Sequence, residues 1–180
     1  CATKPMGFGT GGALVSDNDE VVEHCSILAR YGRTGRFGAV ESKYQGFSFR
    51  PNEPQFALAC AMIPTFTAEM AYRTELASIY MKNIDSDKWH IFDYGDSNFY
   101  KFPILSKNES FNRNDFKDYL SSKGIELSAP CIEVPTYAQT AFGGAYSSVS
   151  LRGVTRFCDG HICLPMHNVL DPEEVRIVVN

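Results

Sequence analysis

The sequence predicts an α+β fold rich in strand. Two or three helices occupy the first two-thirds, and a mainly antiparallel sheet, compatible with a jelly-roll-like sandwich, fills the second half. Three observations carry this reading. Aromatic residues make up 13% of the 180 positions, with 13 Phe and 9 Tyr, which favours strands and a core of large side chains. From Cys131 onward, β-branched and aromatic residues recur between turn formers, and Asp159-Gly160 is the two-residue signal of a tight hairpin. Helical periodicity is clear only before Gly124.

Residues 1–16 (CATKPMGFGTGGALVS) carry four glycines and no clear period, so they read as a flexible N-terminal arm; residues 17–180 read as a single globular domain. Asp17 or Asn18 caps a helix running to about Tyr31. Val21, Cys25 and Leu28 share one face, early acids suit the helix dipole, and Gly32 and Gly35 end it. Residues 40–49 alternate weakly up to the Arg50-Pro51-Asn52 turn signal. Residues 56–63 (FALACAMI) form a short apolar run, helix or buried strand, broken by Pro64. Thr67 then opens the clearest helix, to about Asn83, with Met70, Leu76, Ile79 and Tyr80 broadly on one side.

Residues 88–105 read as a hairpin whose aromatic arms flank Gly95-Asp96-Ser97-Asn98. Asn112 or Asn114 caps a short helix through Phe116, Tyr119 and Leu120, ended by Lys123-Gly124. Residues 131–140, 145–157, 161–166 and 174–179 read as four strands.

Hydrophobic residues at 44% and charged residues at 21% are ordinary globular values. A net charge of -4 excludes a global basic field for nucleic acid, leaving a local patch at Arg30, Arg33 and Arg36. No apolar run reaches about 18 residues, so no membrane span is expected. The six cysteines (Cys1, Cys25, Cys60, Cys131, Cys158, Cys163) are expected mainly as free thiols, because the chain exceeds the size at which such a count marks a disulfide scaffold. A chain starting at Cys1 suggests lipidation after secretion, release from a polyprotein, or an N-terminal nucleophile. Virion or cytoplasm are the favoured locations, with a secreted or lipid-anchored protein compatible with Cys1.

Two constellations carry candidate chemistry. Cys158, His161, Cys163 and His167 place four zinc-type ligands within ten residues, although the spacing departs from familiar fingers and a plain hairpin explains it as well. A thiol–imidazole pair for hydrolysis or self-processing would draw on Cys1, Cys60 or Cys163 with His167 or His161. The stretch GVTRFCDGHICLPMHNV resembles the start of chymotrypsin-like cysteine proteases of picorna-like viruses, which implies His167 as general base; only 13 residues follow His167, too few for that family's nucleophile motif.

Residues 20–31 (EVVEHCSILARY) resemble the short helix before the barrel in capsid proteins of picorna-like viruses. Residues 132–140 (IEVPTYAQT) are similar to a late strand-to-loop segment of the same jelly rolls. The resemblance implies a structural or assembly protein, a virion subunit released from a polyprotein, whose partners are other protein subunits. No cofactor is then expected, with zinc as the one candidate. The alternatives are the Cys–His hydrolase or self-processing protease and a zinc-stabilised interaction module.

Overall fold

The structure, a computed structural model, describes residues 4–34, 41–50, 52–142, 144–146 and 148–179. Its elements in chain order are α1 (Asp19–Leu28), α2 (Glu53–Asn83), β1 (Trp89–Ile91), β2 (Phe102–Ser106), α3 (Arg113–Ser122), two 3-10 turns (Thr136–Ala138 and Thr140–Phe142), α4 (Arg152–Gly160), β3 (His161–Leu164) and α5 (Pro172–Val179). The chain groups into two compact units, residues 1–66 and 67–180. Among the described residues no helix is long and apolar enough to cross a membrane.

In unit 1, the Asn18 side chain accepts the Glu20 and Val21 N–H groups at 3.0 and 3.4 Å and so starts α1. Tyr31 (φ 62) and Gly32 (φ 73) then turn the chain back in the left-handed region. Gly32 has no alternative there, since a Cβ would lie 1.8 Å from the Tyr44 carbonyl oxygen. The returning segment makes isolated antiparallel bridges, Arg30 with Ser48 and Arg33 with Ser42. Asn52 and Gln55 cap α2 reciprocally: the Gln55 N–H donates to Asn52 Oδ1 at 3.1 Å and the Asn52 N–H to Gln55 Oε1 at 3.3 Å. α2 absorbs the apolar run 56–63 and continues through Pro64, which the sequence reading took as a break. Proline there costs the N–H bond to the carbonyl four residues back, but the 31-residue helix carries the defect.

Unit 2 is built on a three-stranded antiparallel sheet in the order β1-β2-β3. β1 pairs with β2 from Trp89↔Ser106 to Ile91↔Ile104, as the hairpin reading of 88–105 expects, though a ten-residue connection (92–101) replaces a tight turn. β2 alternates, with Phe102, Ile104 and Ser106 buried. Pro103 lies in this central strand and lacks a donor; its carbonyl is taken by the Tyr94 hydroxyl at 2.6 Å. Leu76, Ala77 and Tyr80 of α2 join Phe102, Ile104, Ile162, Leu164, Met166, Leu170 and Val175 in one core. The Tyr80 hydroxyl donates to the Pro165 carbonyl at 2.9 Å, so its buried oxygen is satisfied. Asn112 caps α3 through the Asn114 and Asp115 N–H groups.

The strand-rich expectation fails here. Among the described residues, the second half holds α3, α4, α5 and one small sheet where a mainly antiparallel, jelly-roll-like sandwich is expected. Of the four strands read after Cys131, only 161–166 contains one among the described residues, β3. Residues 131–140 hold a 3-10 turn at Thr136–Ala138 behind Pro135, whose ring cannot donate to a ladder. Residues 145–157 lead into α4, where Val154 and Cys158 recur at helical spacing and Cys158 is buried. Asp159-Gly160 ends that helix and turns no hairpin; Gly160 passes against Leu105, where a Cβ would lie 3.1 Å from Cδ1. Residues 174–179 belong to α5. Asp171-Pro172-Glu173-Glu174 is a helix start: the Glu173 N–H donates to Asp171 Oδ1 and the Asp171 N–H to Glu174 Oε2, both at 2.8 Å, with proline at the first helical position.

If these contacts start α5, Asp171→Ala lowers stability by about 1 kcal/mol, read as a lower urea midpoint at unchanged slope. A variant indistinguishable from the parent would mean that the box does not hold the helix.

Candidate functional site

β3 begins where α4 stops, and this junction brings together two of the predicted ligands. His161 is fully buried beside Cys163. Its Nδ1 faces the Phe157 carbonyl, and its Nε2 accepts the Cys131 N–H at 2.9 Å. One assignment satisfies both: a neutral ring protonated on Nδ1. Phe157 stacks on the ring with centroids 4.1 Å apart. Arg113, at the start of α3, donates through Nε to the His161 carbonyl at 2.7 Å and through Nη2 to the Cys158 carbonyl. Cys131 Sγ lies 3.6 Å from Cys163 Sγ.

Among the described residues, Cys131, His161 and Cys163 are the one group of three His, Cys, Asp or Glu side chains with metal-ligand spacing, their donor atoms within 4.8 Å of one another. The predicted zinc set of Cys158, His161, Cys163 and His167 does not close. Cys158 is buried on α4, and His167 is exposed in the turn after β3, where its carbonyl accepts the Leu170 N–H at 3.2 Å. Both nitrogens of His161 are already committed. Cys1 and Arg36 lie outside the described residues.

The electrostatics oppose a thiolate–imidazole pair. Burial pushes the Cys163 thiol up to about 12, and the neighbouring Cys131 thiol adds to the rise. Burial also raises Cys158, with Asp159 contributing. His161 is lowered by burial, against the pull of the Phe157 carbonyl. A nucleophilic cysteine needs its thiolate favoured, and here it is disfavoured.

A second cluster lies in unit 1. The Tyr31 hydroxyl donates to Ser48 Oγ at 2.9 Å and accepts from Arg50 Nη2 at 3.4 Å. The Arg33 and Arg50 guanidiniums each lie 5.4 Å from the Tyr31 ring centroid. Hydrogen bonding with Ser48, then Arg50, holds the Tyr31 phenol below its ordinary range. Arg30 turns away from this group and donates to the Ser26 carbonyl at 3.1 Å. The same unit contains the glycine-rich segment after Lys4. Gly9 (φ 101) packs so closely on the start of α2 that a Cβ would lie 2.7 Å from Gln55 Nε2, and that nitrogen donates to the Thr10 carbonyl at 3.4 Å.

The family model for DegT/DnrJ/EryC1/StrS aminotransferases matches residues 1–180. The chain belongs to that family. It is 23% identical over 181 residues to the UDP-4-amino-4,6-dideoxy-N-acetyl-beta-L-altrosamine transaminase of Campylobacter jejuni, covering 97% of this chain and 48% of the relative. Its fold superposes on a DegT DnrJ EryC1 StrS aminotransferase from Brucella abortus with a TM-score of 0.84 at 22% identity, over 98% of this chain and 47% of that one. NtdA from Bacillus subtilis with bound cofactor PMP gives a TM-score of 0.79 at 17% identity, over 92% and 39%. The chain thus spans about half the length of the curated relative it matches.

These findings correct four expectations. The resemblance to picorna-like capsid and protease segments is local only; the whole-chain match is to an aminotransferase family. The fold is that of aminotransferases and not a jelly roll. A structural subunit, a Cys–His hydrolase or self-processing protease, and a zinc-stabilised module all give way to an aminotransferase relationship. The expectation of no cofactor, with zinc as the one candidate, is overturned as well: the family is pyridoxal-phosphate dependent, and a neighbour of the same fold holds PMP. Lys4, directly ahead of Gly7, Gly9, Gly11 and Gly12, stands outside both candidate constellations, as do Tyr31 and Arg50. The pairing of Tyr31 with Ser48 and Arg50 needed the bend at Gly32.

Because folding lowers the His161 value, its unfolded form binds a proton at a higher pH than its folded form. The stability tied to the neutral ring is complete above the unfolded value, near 6.5, and is lost as pH falls through the folded value. Urea midpoints therefore fall more steeply below about pH 6.5 in the parent than in His161→Gln. Equal pH slopes in the two proteins would remove His161 as the source.

Proposed function

We propose that this chain serves in a pyridoxal-phosphate-dependent transfer of an amino group to a nucleotide-linked sugar. The observation that carries the reading is the family match across residues 1–180. The sugar class is supported by the Campylobacter relative, named as a transaminase of a UDP-linked amino sugar.

The residues of unit 1 fit such a cofactor. A lysine amine is the group that takes up the carbonyl of pyridoxal phosphate. Lys4 is exposed and heads a backbone of glycines, one of them, Gly9, at a φ of 101 that side chains rarely adopt. Such a backbone lets a phosphate approach closely. Lys4 Nζ would hold the cofactor and, once released, take and return the substrate proton. When bound, the cofactor supplies the electron sink for that proton's removal. Arg33 and Arg50, set around Tyr31, offer guanidiniums to the diphosphate of a nucleotide sugar.

After incubation with pyridoxal phosphate and borohydride reduction, peptide mapping finds the stable adduct on Lys4, and Lys4→Ala lacks it. An adduct confined to other lysines, or no adduct on the parent chain, would sink the assignment. Calorimetry with UDP tests the anion site: Arg50→Ala weakens binding roughly tenfold, as expected for one charged hydrogen bond. Unchanged affinity moves the diphosphate elsewhere.

A further inference from the structure

We propose that Cys131 and Cys163 form a reversible disulfide, which makes this place in unit 2 an oxidation site independent of the proposed transfer reaction. Three observations on the structure support it. The two sulfurs already touch, at 3.6 Å, and must close by roughly 1.5 Å to reach bonding distance. The partners are unequal: Cys131 is exposed on a loop, whereas Cys163 is 1% exposed on β3. The loop is also held in place. The Ser128 N–H donates to the Cys163 carbonyl at 3.0 Å, and the Cys131 N–H donates to His161 Nε2 at 2.9 Å. Lys101 Nζ gathers the Ala129 and Pro130 carbonyls just ahead of Cys131. The Cys131 side chain closes the remaining gap from a backbone anchored at Cys131 and just ahead of it.

The inequality sets the order of events. The oxidant is a low-molecular-weight disulfide, RSSR. Cys131, open to solvent, attacks one of its sulfurs; the Cys131–SR bond forms, the S–S bond of the oxidant breaks, and one RSH leaves with the Cys131 proton. Cys163 then attacks the Cys131 sulfur, the Cys131–SR bond breaks, and the second RSH carries away the Cys163 proton. Two thiols are oxidised and one disulfide is reduced to two thiols. Burial keeps Cys163 protonated and makes it a poor first nucleophile, so the oxidant enters at Cys131. Beside it, the Lys101 ammonium favours the thiolate of the closing step. The other described cysteines have no such neighbour among the bonds of this site; Cys158, for example, sits within α4 with its carbonyl taken by Arg113.

The test treats the purified chain with oxidised glutathione, blocks remaining thiols, and digests without reductant. Trypsin followed by cleavage before Asp159 separates Cys158 from Cys163. The expected product is one linked peptide pair joining Cys131 to Cys163, reversed by dithiothreitol. A closed loop of this size should raise Tm by roughly 10 °C in the oxidised chain. In Cys131→Ser, an exposed and therefore mild change, Cys163 stays reduced under the same treatment. Three outcomes would overturn the proposal: glutathione remaining on Cys131 with Cys163 free, Cys131 linked to a different cysteine, or no modification of either. The peptide map of the parent chain decides among them without any core variant.

Discussion

A strand buried on both faces has no solvent for its backbone, so each N–H and C=O must find a partner within the protein. β3 is such a strand, with His161, Ile162, Cys163 and Leu164 all buried. Much of unit 2 follows from meeting that demand. β2 pairs along one edge, from Phe102↔Leu164 to Leu105↔His161. Ser128 bridges Cys163 on the other edge, which brings the loop before Cys131 into contact. α4 must end at Gly160 for β3 to start, and Arg113 ties its last carbonyls to the strand. The His161 ring closes the junction, satisfied at both nitrogens and kept neutral by burial.

A second constraint is the buried guanidinium of Arg73. It is 6% exposed and donates through Nη1 to the Phe99 and Met166 carbonyls, at 3.1 and 3.3 Å. These carbonyls flank the sheet, so one α2 side chain holds the chain before β2 and after β3. Burial lowers the Arg73 value, and Glu69 opposes that fall. Asn168 donates to the same Glu69 carboxylate. Arg73 Nε and Asn168 Oδ1 are a buried donor and a buried acceptor without a hydrogen-bond partner among the described residues. This seam fixes where α2 meets the core through Leu76, Ala77 and Tyr80, and explains why a charged residue lies among them.

The two units differ in what they offer chemically. Unit 2 presents two thiols, Cys158 and Cys163, that burial keeps protonated, and a histidine committed at both ring nitrogens. Unit 1 presents Lys4 ahead of glycines and two guanidiniums over a strained Tyr31, features suited to anions and to a carbonyl cofactor. Motif spacing drew attention to unit 2. Cys158, His161, Cys163 and His167 are close in sequence, yet a helix end between the first two and the turn at His167 disperse the four. Cys131, 32 residues from Cys163 in the chain, is the neighbour that folding supplies.

Local chemistry determined several elements on its own. Asn18 and Asn112 cap helices because their side chains reach N–H groups two and three residues on, an interaction complete within the segment. The apolar face of 67–83 and the paired arms of 88–105 were legible for the same reason. The start of α5 was written as plainly in Asp171 to Glu174, but the β-branched run behind it suggested a strand. Tertiary structure decided the remainder. Whether Val149, Leu151 and Val154 form a ladder or a helix depends on which face finds a core, and whether Asp159-Gly160 turns a hairpin depends on a partner strand that is β2 and not the preceding segment. The apolar run 56–63, read as helix or buried strand, lies on α2 with Phe56, Leu58 and Ile63 about half exposed. Burial is a property of the assembled neighbours, and the sequence of one segment does not contain them.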